Sequence, residues 1–410
     1  MENGLRFADW SARHIWPGIL PQRIAFERLL QSRSMRVLRR PPKWIMLLML
    51  AAVAASAAAQ SAEDKREKKE ERTQVLQLPA ELPAATTGNP RRLTFYVTAL
   101  TGKGLLTHQI REALKNLWHQ STGETVLKIR AFVAGSGDVR RVRDLVSEEF
   151  AEHKRPLPAL SLLRAGGLPM EGAQVVLESI AEARKDVNPH GLAFFSAQAA
   201  TSSSPLDPAA PLVRKALAQL GQAINAAGAT PQNVLQVTCF VSSLADIAAT
   251  RNLVDAAYPR AALNYVQTQR SPGSALAACE AVARLGSDPA APLQFLDPDG
   301  LPRESGQASV ALVNSAEVVL TGAQVSFGYQ PGDTKLAFDR LQNELTQAGT
   351  LPGKVAFADY YPLSLDIAAQ VRQIRAEIFD AARPPAGTLL QFEGLPSMDA
   401  GFAVDAVAVK

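Results

Sequence analysis

The chain has 410 residues, of which 47% are apolar and 20% are charged. This balance is ordinary for globular proteins, and the length allows two to four domains. The formal net charge is +4, but nine basic residues and only three acidic residues lie within the first 59 positions. The remainder carries a slight excess of acids, which excludes a basic globular part that binds nucleic acid.

The N-terminal part has the layout of an export signal. Four basic residues between Arg36 and Lys43 precede the apolar run Trp44–Val53, and small residues follow it. We predict a signal peptide over residues 35–59 that is cleaved before Gln60. The protein would then be periplasmic or secreted, with membrane contact only through the signal segment. The alternative is an uncleaved segment that anchors the chain.

The two stretches beside this signal are interpreted separately. Residues 1–34 precede Met35, where an export signal normally begins, so they are either an over-extended start or a cytoplasmic extension. Residues 60–90 combine a dense run of charges of both signs with Pro, Ala and Thr. That composition predicts a solvated linker.

One pattern recurs three times in the rest of the chain. Each occurrence opens with a short apolar run, typical of a strand, and continues with apolar residues at helical spacing. The predicted strands are Leu93–Leu100, Leu192–Ala200 and Val318–Val325. The predicted helices are Thr107–Gln120, Pro211–Gly228 and Thr334–Gly349.

An aspartate marks the start of a second helix in each occurrence. It lies six residues after an aromatic residue of the preceding strand, which is Phe132, Phe240 or Tyr360. An aspartate at this place can accept hydrogen bonds from the first N–H groups of a helix. We therefore interpret these aspartates as helix caps with no catalytic role: Asp138, Asp246 and Asp366.

Each occurrence closes with a turn that contains a proline and a strand that contains an acid. The prolines are Pro169, Pro272 and Pro396, and the acids are Glu178, Glu280 and Asp405. The acids and the aspartates recur at similar steps, so two independent landmarks agree. They predict three tandem copies of one module, at residues 91–185, 186–290 and 304–410.

Two of the copies contain segments that resemble those of a known protein family. The second contains NVLQVTCFVSSLADIAATRNLVDAAYPR and ACEAVARL, and the third contains LTGAQV and FAVDAVAV. With these segments the chain resembles the RidA/YjgF family over residues 91–410, the first copy being the most diverged. The resemblance implies an α/β (α+β) module similar to bacillary chorismate mutase, in which two helices cover one face of a sheet. Family members form homotrimers with a central barrel, so the resemblance implies a monomeric chain folded as an intramolecular pseudo-trimer.

The resemblance further implies sites in the clefts between modules. Family deaminases hydrolyse imines and enamines derived from amino acids; an Arg clamps the substrate carboxylate and an acid positions water. The Arg positions fall on Leu160, Leu263 and Gly387, none of which can hold a carboxylate. The acid positions fall on the candidate catalytic residues Glu178, Glu280 and Asp405. The candidate binding residues are Gln198, Gln324, Arg270 and Arg383.

Three functions stay open. The leading one is a degenerate family member that binds a small molecule or a protein partner at its clefts. The second is an imine or enamine hydrolase in which a nearby cation replaces the lost Arg. The third is a purely structural or interaction module. We expect no cofactor and no metal site, because the five His show no metal-ligand spacing.

The two cysteines, Cys239 and Cys279, fall in predicted strands of the second copy. A disulfide between them needs neighbouring strands and a demanding geometry. We interpret them as two buried thiols, and a disulfide stays the alternative because exported proteins meet oxidising conditions.

Overall fold

The computed structural model describes residues 79–135 and 137–410. The predicted signal peptide at 35–59 and most of the predicted linker lie outside these residues. The described part is a mixed α/β fold with three sheets and six α-helices. None of these six helices is long and apolar enough to cross a membrane.

The first sheet contains four strands. Its order is β2 (Leu93–Val97), β5 (Val175–Glu182), β3 (Thr125–Val133) and β4 (Ala159–Arg164). β3 and β4 are parallel, and the other pairs are antiparallel. Its helices are α1 (Leu106–Gln120) and α2 (Arg140–Glu152).

The second sheet contains six strands. Its order is β10 (Leu293–Leu296), β11 (Val310–Val313), β6 (Leu192–Thr201), β9 (Leu276–Arg284), β7 (Val234–Val241) and β8 (Ala262–Gln267). Again one pair, β7 with β8, is parallel. Its helices are α3 (Ala209–Ala226) and α4 (Ile247–Ala257).

The third sheet also contains six strands. Its order is β1 (Ala85–Gly88), β12 (Val318–Thr321), β16 (Ala400–Val409), β14 (Val355–Pro362) and β15 (Ala386–Leu389), and β13 (Gln324–Phe327) also pairs with β16. β14 and β15 form its parallel pair. Its helices are α5 (Pro331–Gln347) and α6 (Leu365–Ile378). Short 3-10 turns precede β2, β7 and β14, at Pro90–Arg92, Pro231–Asn233 and Pro352–Lys354.

The predicted first helices are confirmed, with ends shifted by at most three residues. Their apolar residues recur at spacings of three and four, so they form one stripe along each helix. In α1 the stripe includes Ile110, Leu114 and Leu117, which pack on Ile129 and Leu177 of the first sheet. Burying each such side chain contributes on the order of 1.5–3 kcal/mol. The other sheets have equivalent helix-covered cores.

The uncovered faces of the three sheets pack against one another. Phe132 of the first sheet, Phe240 of the second and Phe392 beside the third have ring centroids 5.8–6.1 Å apart. Tyr361 adds a fourth ring, 5.5 Å from Phe392. In the third sheet the aromatic that faces this shared core is therefore Tyr361, whereas Tyr360, which the sequence pattern selected, packs on Phe338 of α5.

Backbone hydrogen bonds join the segments that follow the three parallel pairs. Arg164 N donates to Gly394 O at 2.8 Å, and Gly166 N donates to Gln267 O at 2.8 Å. Gln269 N donates to Gln391 O at 3.2 Å. Each of the three segments is thus bonded to the other two, in a triangle. The described strands nevertheless form three open sheets with isolated bridges between them, which corrects the expected central barrel.

Two strands lie in segments that the sequence pattern placed in linkers. Residues 85–88, at the end of the predicted 60–90 linker, form β1 and pair with β12 of the third sheet. Residues 293–296, between the second and third copies, form β10. β11 (Val310–Val313) falls within the predicted third copy but pairs with β6 of the second sheet. β1 and β11 therefore each pair with a strand of a different predicted copy.

One of the three aspartates caps the helix as predicted, and the other two do not. Asp138 Oδ1 accepts a hydrogen bond from Arg140 N at the start of α2, as expected. Asp246 instead accepts from the first N–H groups of α3, those of residues 209 and 210. Asp366 lies inside the first turn of α6, where Ser364 is the residue that caps the helix. The partners of Asp246 belong to a different helix, which the local sequence does not show.

The cysteines form a disulfide. Cys239 of β7 and Cys279 of β9 lie directly opposite each other in an antiparallel pair, with Cα atoms 4.2 Å apart. The interpretation as two buried thiols was therefore wrong, because it did not place the two strands side by side.

Candidate functional site

Each sheet carries a row of three polar residues on its inner face. The residues of a row lie beside one another on the parallel edge strand, the middle strand and the long antiparallel strand. The rows are Ser161–Arg130–Glu178, Asn264–Thr238–Glu280 and Thr388–Asp359–Asp405. All nine residues are buried. The rows place the three candidate catalytic acids at the same position of their sheets.

Arg130 binds one acid from each of the three sheets. Its Nε donates to Glu178 at 2.7 Å, its Nη2 to Glu280 at 2.5 Å and its Nη1 to Asp359 at 2.9 Å. We call these four residues the Arg130 cluster. A planar guanidinium with five donors suits such a junction better than the single ammonium of a lysine.

Two of the candidate acids also accept hydrogen bonds from strands of other sheets. Glu178 accepts from Thr238 at 2.6 Å and from Asn264 at 2.7 Å. Glu280 accepts from Thr388 of the third sheet. Each oxygen of these two carboxylates therefore accepts at least one hydrogen bond from a protein donor.

Asp405 has the same type of environment around a different cation. It accepts from Lys128 Nζ at 2.6 Å, from Ser161 at 2.5 Å and from Tyr361 at 2.9 Å. Lys128 and Ser161 belong to the first sheet and Asp405 to the third. The three acids thus connect the sheets in a cycle: first to second, second to third, and third to first.

Burial dominates the ionisation of the cluster. Burial by itself lowers the pKa of Arg130, but Glu178, Glu280 and Asp359 outweigh it, and the pKa lies well above its ordinary value. Burial raises the pKa of Glu280, while Arg130 acts in the opposite direction. Burial, together with the charge of Glu280, raises the pKa of Asp359 well above its ordinary range. Asp359 is therefore the carboxyl that most readily holds a proton.

The family Arg positions lie on the opposite side of their strands. Leu160, Leu263 and Gly387 each precede the edge residue of a polar row, so their Cβ directions point away from the interior. At Gly387 a Cβ atom would lie 2.2 Å from the carbonyl oxygen of Ala358. The backbone at this position leaves no room for any side chain.

A large cleft lies beside Leu160, between the first and third sheets. It has a volume of about 620 Å³. The backbone approaches closely here: Ala323 N donates to Leu160 O at 3.1 Å, and Gly322 has no room for a Cβ against the same oxygen. The side chains that matter for its chemistry are Leu160, Gln324, Phe327, Arg140, Arg143 and Glu344.

Only Gln324 among the candidate binding residues lines this cleft. Gln198 is buried in β6 and donates to Ser196 O. Arg270 donates to Ser242 O at 3.2 Å, and Arg383 is 3.5 Å from Leu293 O. The structure therefore brings the three acids together in the interior and keeps them apart from the cleft.

Sequence reasoning missed five charged residues. Lys128 and Arg130 alternate with apolar residues in the strand TVLKIRAFV, and Asp359 sits similarly in VAFADYYP. A charge on the inner face of a buried strand is rare unless it is paired, and that signal could have identified all three. Arg140 and Arg143 lie three residues apart on α2, and nothing in the local pattern points to the cleft.

In the described ranges no group of three or more His, Cys, Asp or Glu is arranged to hold a metal ion.

Comparisons with known proteins give structural similarity alone. No protein-family model matches the sequence, and no curated protein matches it. Among solved structures, the Rid-family protein YyfB from Yersinia pestis matches with 17% identity over 29% of this chain and 100% of its own, at a TM-score of 0.26. A YjgF-family protein from Neisseria meningitidis has 17% identity over 29% of this chain and 94% of its own, at a TM-score of 0.22. A YjgF/YER057c/UK114-family protein from Mycobacterium tuberculosis has 18% identity over 29% and 99%, also at 0.22.

Proposed function

We propose that this chain consists of three RidA/YjgF-like modules that pack as a pseudo-trimer within one polypeptide. The support is the repetition of the polar rows, with one equivalent acid in each sheet. The triangle of backbone hydrogen bonds after the parallel pairs has the same three-way arrangement. Fusion keeps the modules at high effective concentration for each other, so the chain acts as a monomer.

The function we propose is the binding of a small carboxylate-bearing molecule in the cleft beside Leu160. The observation that carries this proposal is that the candidate acids lie apart from the cleft. The family acids are occupied by donors in the interior, while the 620 Å³ cleft presents two arginines and an amide beside the carboxylates of Glu81, Asp144 and Glu344. A concave pocket of this size with polar groups on its walls is typical of a small-molecule site.

Arg140 and Arg143 are the carboxylate anchors in this proposal. Arg140 is highly exposed and lies 3.4 Å from Asp138, and Arg143 lies 3.9 Å from Glu81. These long, exposed ion pairs are weak, so they leave the guanidinium groups available to a ligand. Gln324 would add an amide donor from the opposite wall.

Imine hydrolysis with a substitute anchor is the second candidate. It is favoured by Glu344, a carboxylate that lines the same cleft as the two arginines. In this candidate Glu344 replaces the buried acids as the group that positions water. The two candidates share the anchor and differ in whether a reaction follows binding.

Export of the chain also remains our proposal. The disulfide between Cys239 and Cys279 supports it, because disulfides persist in oxidising compartments. Edman sequencing of the protein from its native host would show whether the mature chain begins at Gln60.

The test of the function combines binding and turnover. Calorimetric titration with pyruvate, L-serine and benzoate would measure carboxylate binding. In parallel, 2-aminoacrylate would be generated in situ, with semicarbazide trapping the remaining imine. Saturable binding without faster imine loss supports the binding function, and faster loss that Glu344→Gln abolishes supports the hydrolase. Absence of both overturns the cleft as a functional site.

Arg141 provides a matched control on the same helix. It pairs with Glu148 at 2.9 Å and does not line the cleft. The double variant Arg140→Gln, Arg143→Gln should weaken carboxylate binding at least tenfold, since charge-assisted hydrogen bonds are the strong ones. Arg141→Gln should leave it unchanged. Equal effects of both changes would argue against a specific anchor.

A further inference from the structure

A second cavity lies in the interior, where the three sheets meet. About 60 Å³ of it is open to the centres of water molecules, which is room for roughly four to six waters. Its floor includes Lys128 and the whole Arg130 cluster. Its walls include the aromatic rings of Phe95, Phe194 and Phe357.

This central cavity reaches the outside. Ile180 and Val282 line it, and both keep part of their surface exposed. They lie two residues after Glu178 and Glu280 in their strands, so their side chains share the inner face with those acids. Helices cover the other face of these sheets, so the exposed parts of the two side chains face the cavity.

The floor carries an excess of negative charge. Lys128 is paired with Asp405, and within residues 79–135 and 137–410 Arg130 is the one cation that forms ion pairs with Glu178, Glu280 and Asp359. One cation thus faces three carboxylates in a site with little water. Buried carboxylates without a matching charge are costly, so the arrangement favours a further positive charge.

One floor atom has no partner within the described part of the chain. Asp359 Oδ2 accepts from Arg130, but Asp359 Oδ1 is buried without a hydrogen bond, and the residue is only 6% exposed. Unpaired buried carboxylate oxygens are rare in native proteins. A donor that enters the cavity would satisfy this atom.

We propose that the central cavity binds a small primary ammonium compound, with its ammonium group at the Arg130 cluster and its short apolar chain among the phenylalanines. An ammonium supplies both the missing charge and three hydrogen-bond donors. The aromatic walls attract a cation and accept the methylene groups. The volume limits the ligand to a chain of a few carbon atoms. The ammonium takes the place of the proton that Asp359 otherwise holds, and this proton is released to solvent.

The site is separate from the cleft beside Leu160, so its test is independent of the proposed function. The probe is n-propylammonium chloride, titrated calorimetrically into the purified chain. n-Propanol, which has a similar chain without the charge, and potassium chloride, which has the charge without the chain, serve as matched probes. We expect saturable 1:1 binding of n-propylammonium and at least tenfold weaker binding of both other probes.

Two variants separate binding from folding. Asp359→Asn keeps the shape of the side chain but removes its charge, and it should weaken n-propylammonium binding at least tenfold. Val282→Phe narrows the mouth without touching any charge and should also abolish binding. The cleft variant Glu344→Gln is the control and should bind as the parent does.

The proposal is overturned by any of three results. The first is no saturable binding of n-propylammonium to the parent chain. The second is equal binding of n-propanol, which would show that the charge has no role. The third is unchanged affinity in both Asp359→Asn and Val282→Phe, which would place the ligand elsewhere.

Discussion

Arg130 and Glu280 lie 150 residues apart in the chain and form an ion pair of 2.5 Å in the interior. They belong to different sheets, and the same guanidinium also binds Glu178 and Asp359. One side chain of the first sheet therefore connects all three sheets. The equivalent positions of the other two sheets carry Thr238 and Asp359, so the three parts of the chain are not interchangeable at this junction.

Replacing Arg130 should destabilise the whole described fold. Arg130→Met keeps most of the volume but leaves buried carboxylates without their cation. Breaking a buried ionic network in this way costs about 3–5 kcal/mol. Urea unfolding monitored by circular dichroism measures the loss. Arg141→Met, which removes a half-exposed pair on α2, is the control and should cost less than about 1 kcal/mol. Similar losses in both variants would contradict a central role for Arg130.

The raised pKa of Asp359 makes stability depend on pH. A carboxyl whose pKa is higher in the folded state holds a proton there that the unfolded chain has already released. Its contribution is therefore fully present below the unfolded pKa of about 4 and is lost as pH rises towards the folded pKa. Glu280 acts in the same direction.

The difference between the parent and Asp359→Asn isolates this effect. The parent should lose up to about 1.4 kcal/mol of unfolding free energy per pH unit more than the variant above pH 4. Urea unfolding at several pH values measures both slopes. Asp366→Asn, at an exposed position in α6, should follow the parent. Parallel curves for the parent and Asp359→Asn would show that Asp359 stays ionised on folding.

The disulfide should contribute substantially to the stability of the second sheet. Cys239 and Cys279 are 40 residues apart, and a loop of that length corresponds to about 4 kcal/mol in the chain-entropy model. The double variant Cys239→Ala, Cys279→Ala should lower the melting temperature by several degrees. Thiol titration of the unfolded, unreduced parent should find no free thiol. Two free thiols would contradict the bond.

Introducing an arginine where the resemblance to the RidA/YjgF family would place one should succeed at one position and fail at another. Leu160 lines the cleft and is partly exposed, so Leu160→Arg should fold and strengthen the binding of pyruvate. Gly387→Arg should unfold the chain, because even a Cβ atom meets the carbonyl of Ala358. Solubility and melting temperature of the two variants provide the comparison. A stable Gly387→Arg variant would contradict the close backbone approach.

The position of the candidate acids was predictable, but their surroundings were not. Glu178, Glu280 and Asp405 recur at similar steps in the sequence, and the structure places them at equivalent positions of three strands. Most of their side-chain partners come from other sheets, at separations of 60 to 277 residues. No local pattern encodes such contacts. That Tyr361 and not Tyr360 faces the shared core was also not readable from the sequence, since adjacent aromatics on a doubly covered strand give no alternation to follow.

Local periodicity was enough to place the main helices and most of the strands, because the apolar spacing along an element reflects the single face that it buries. The export signal and the linker are predictions that rest on sequence alone, through charge and apolar runs, and the last residues of the predicted linker form β1. Tertiary structure decided the rest. The disulfide, the exchanged strands β1 and β11, the cleft of Arg140 and Arg143 and the Arg130 cluster all arise where distant segments meet. The physical reason is that burial makes each polar group depend on the particular partner that the fold brings within hydrogen-bonding distance.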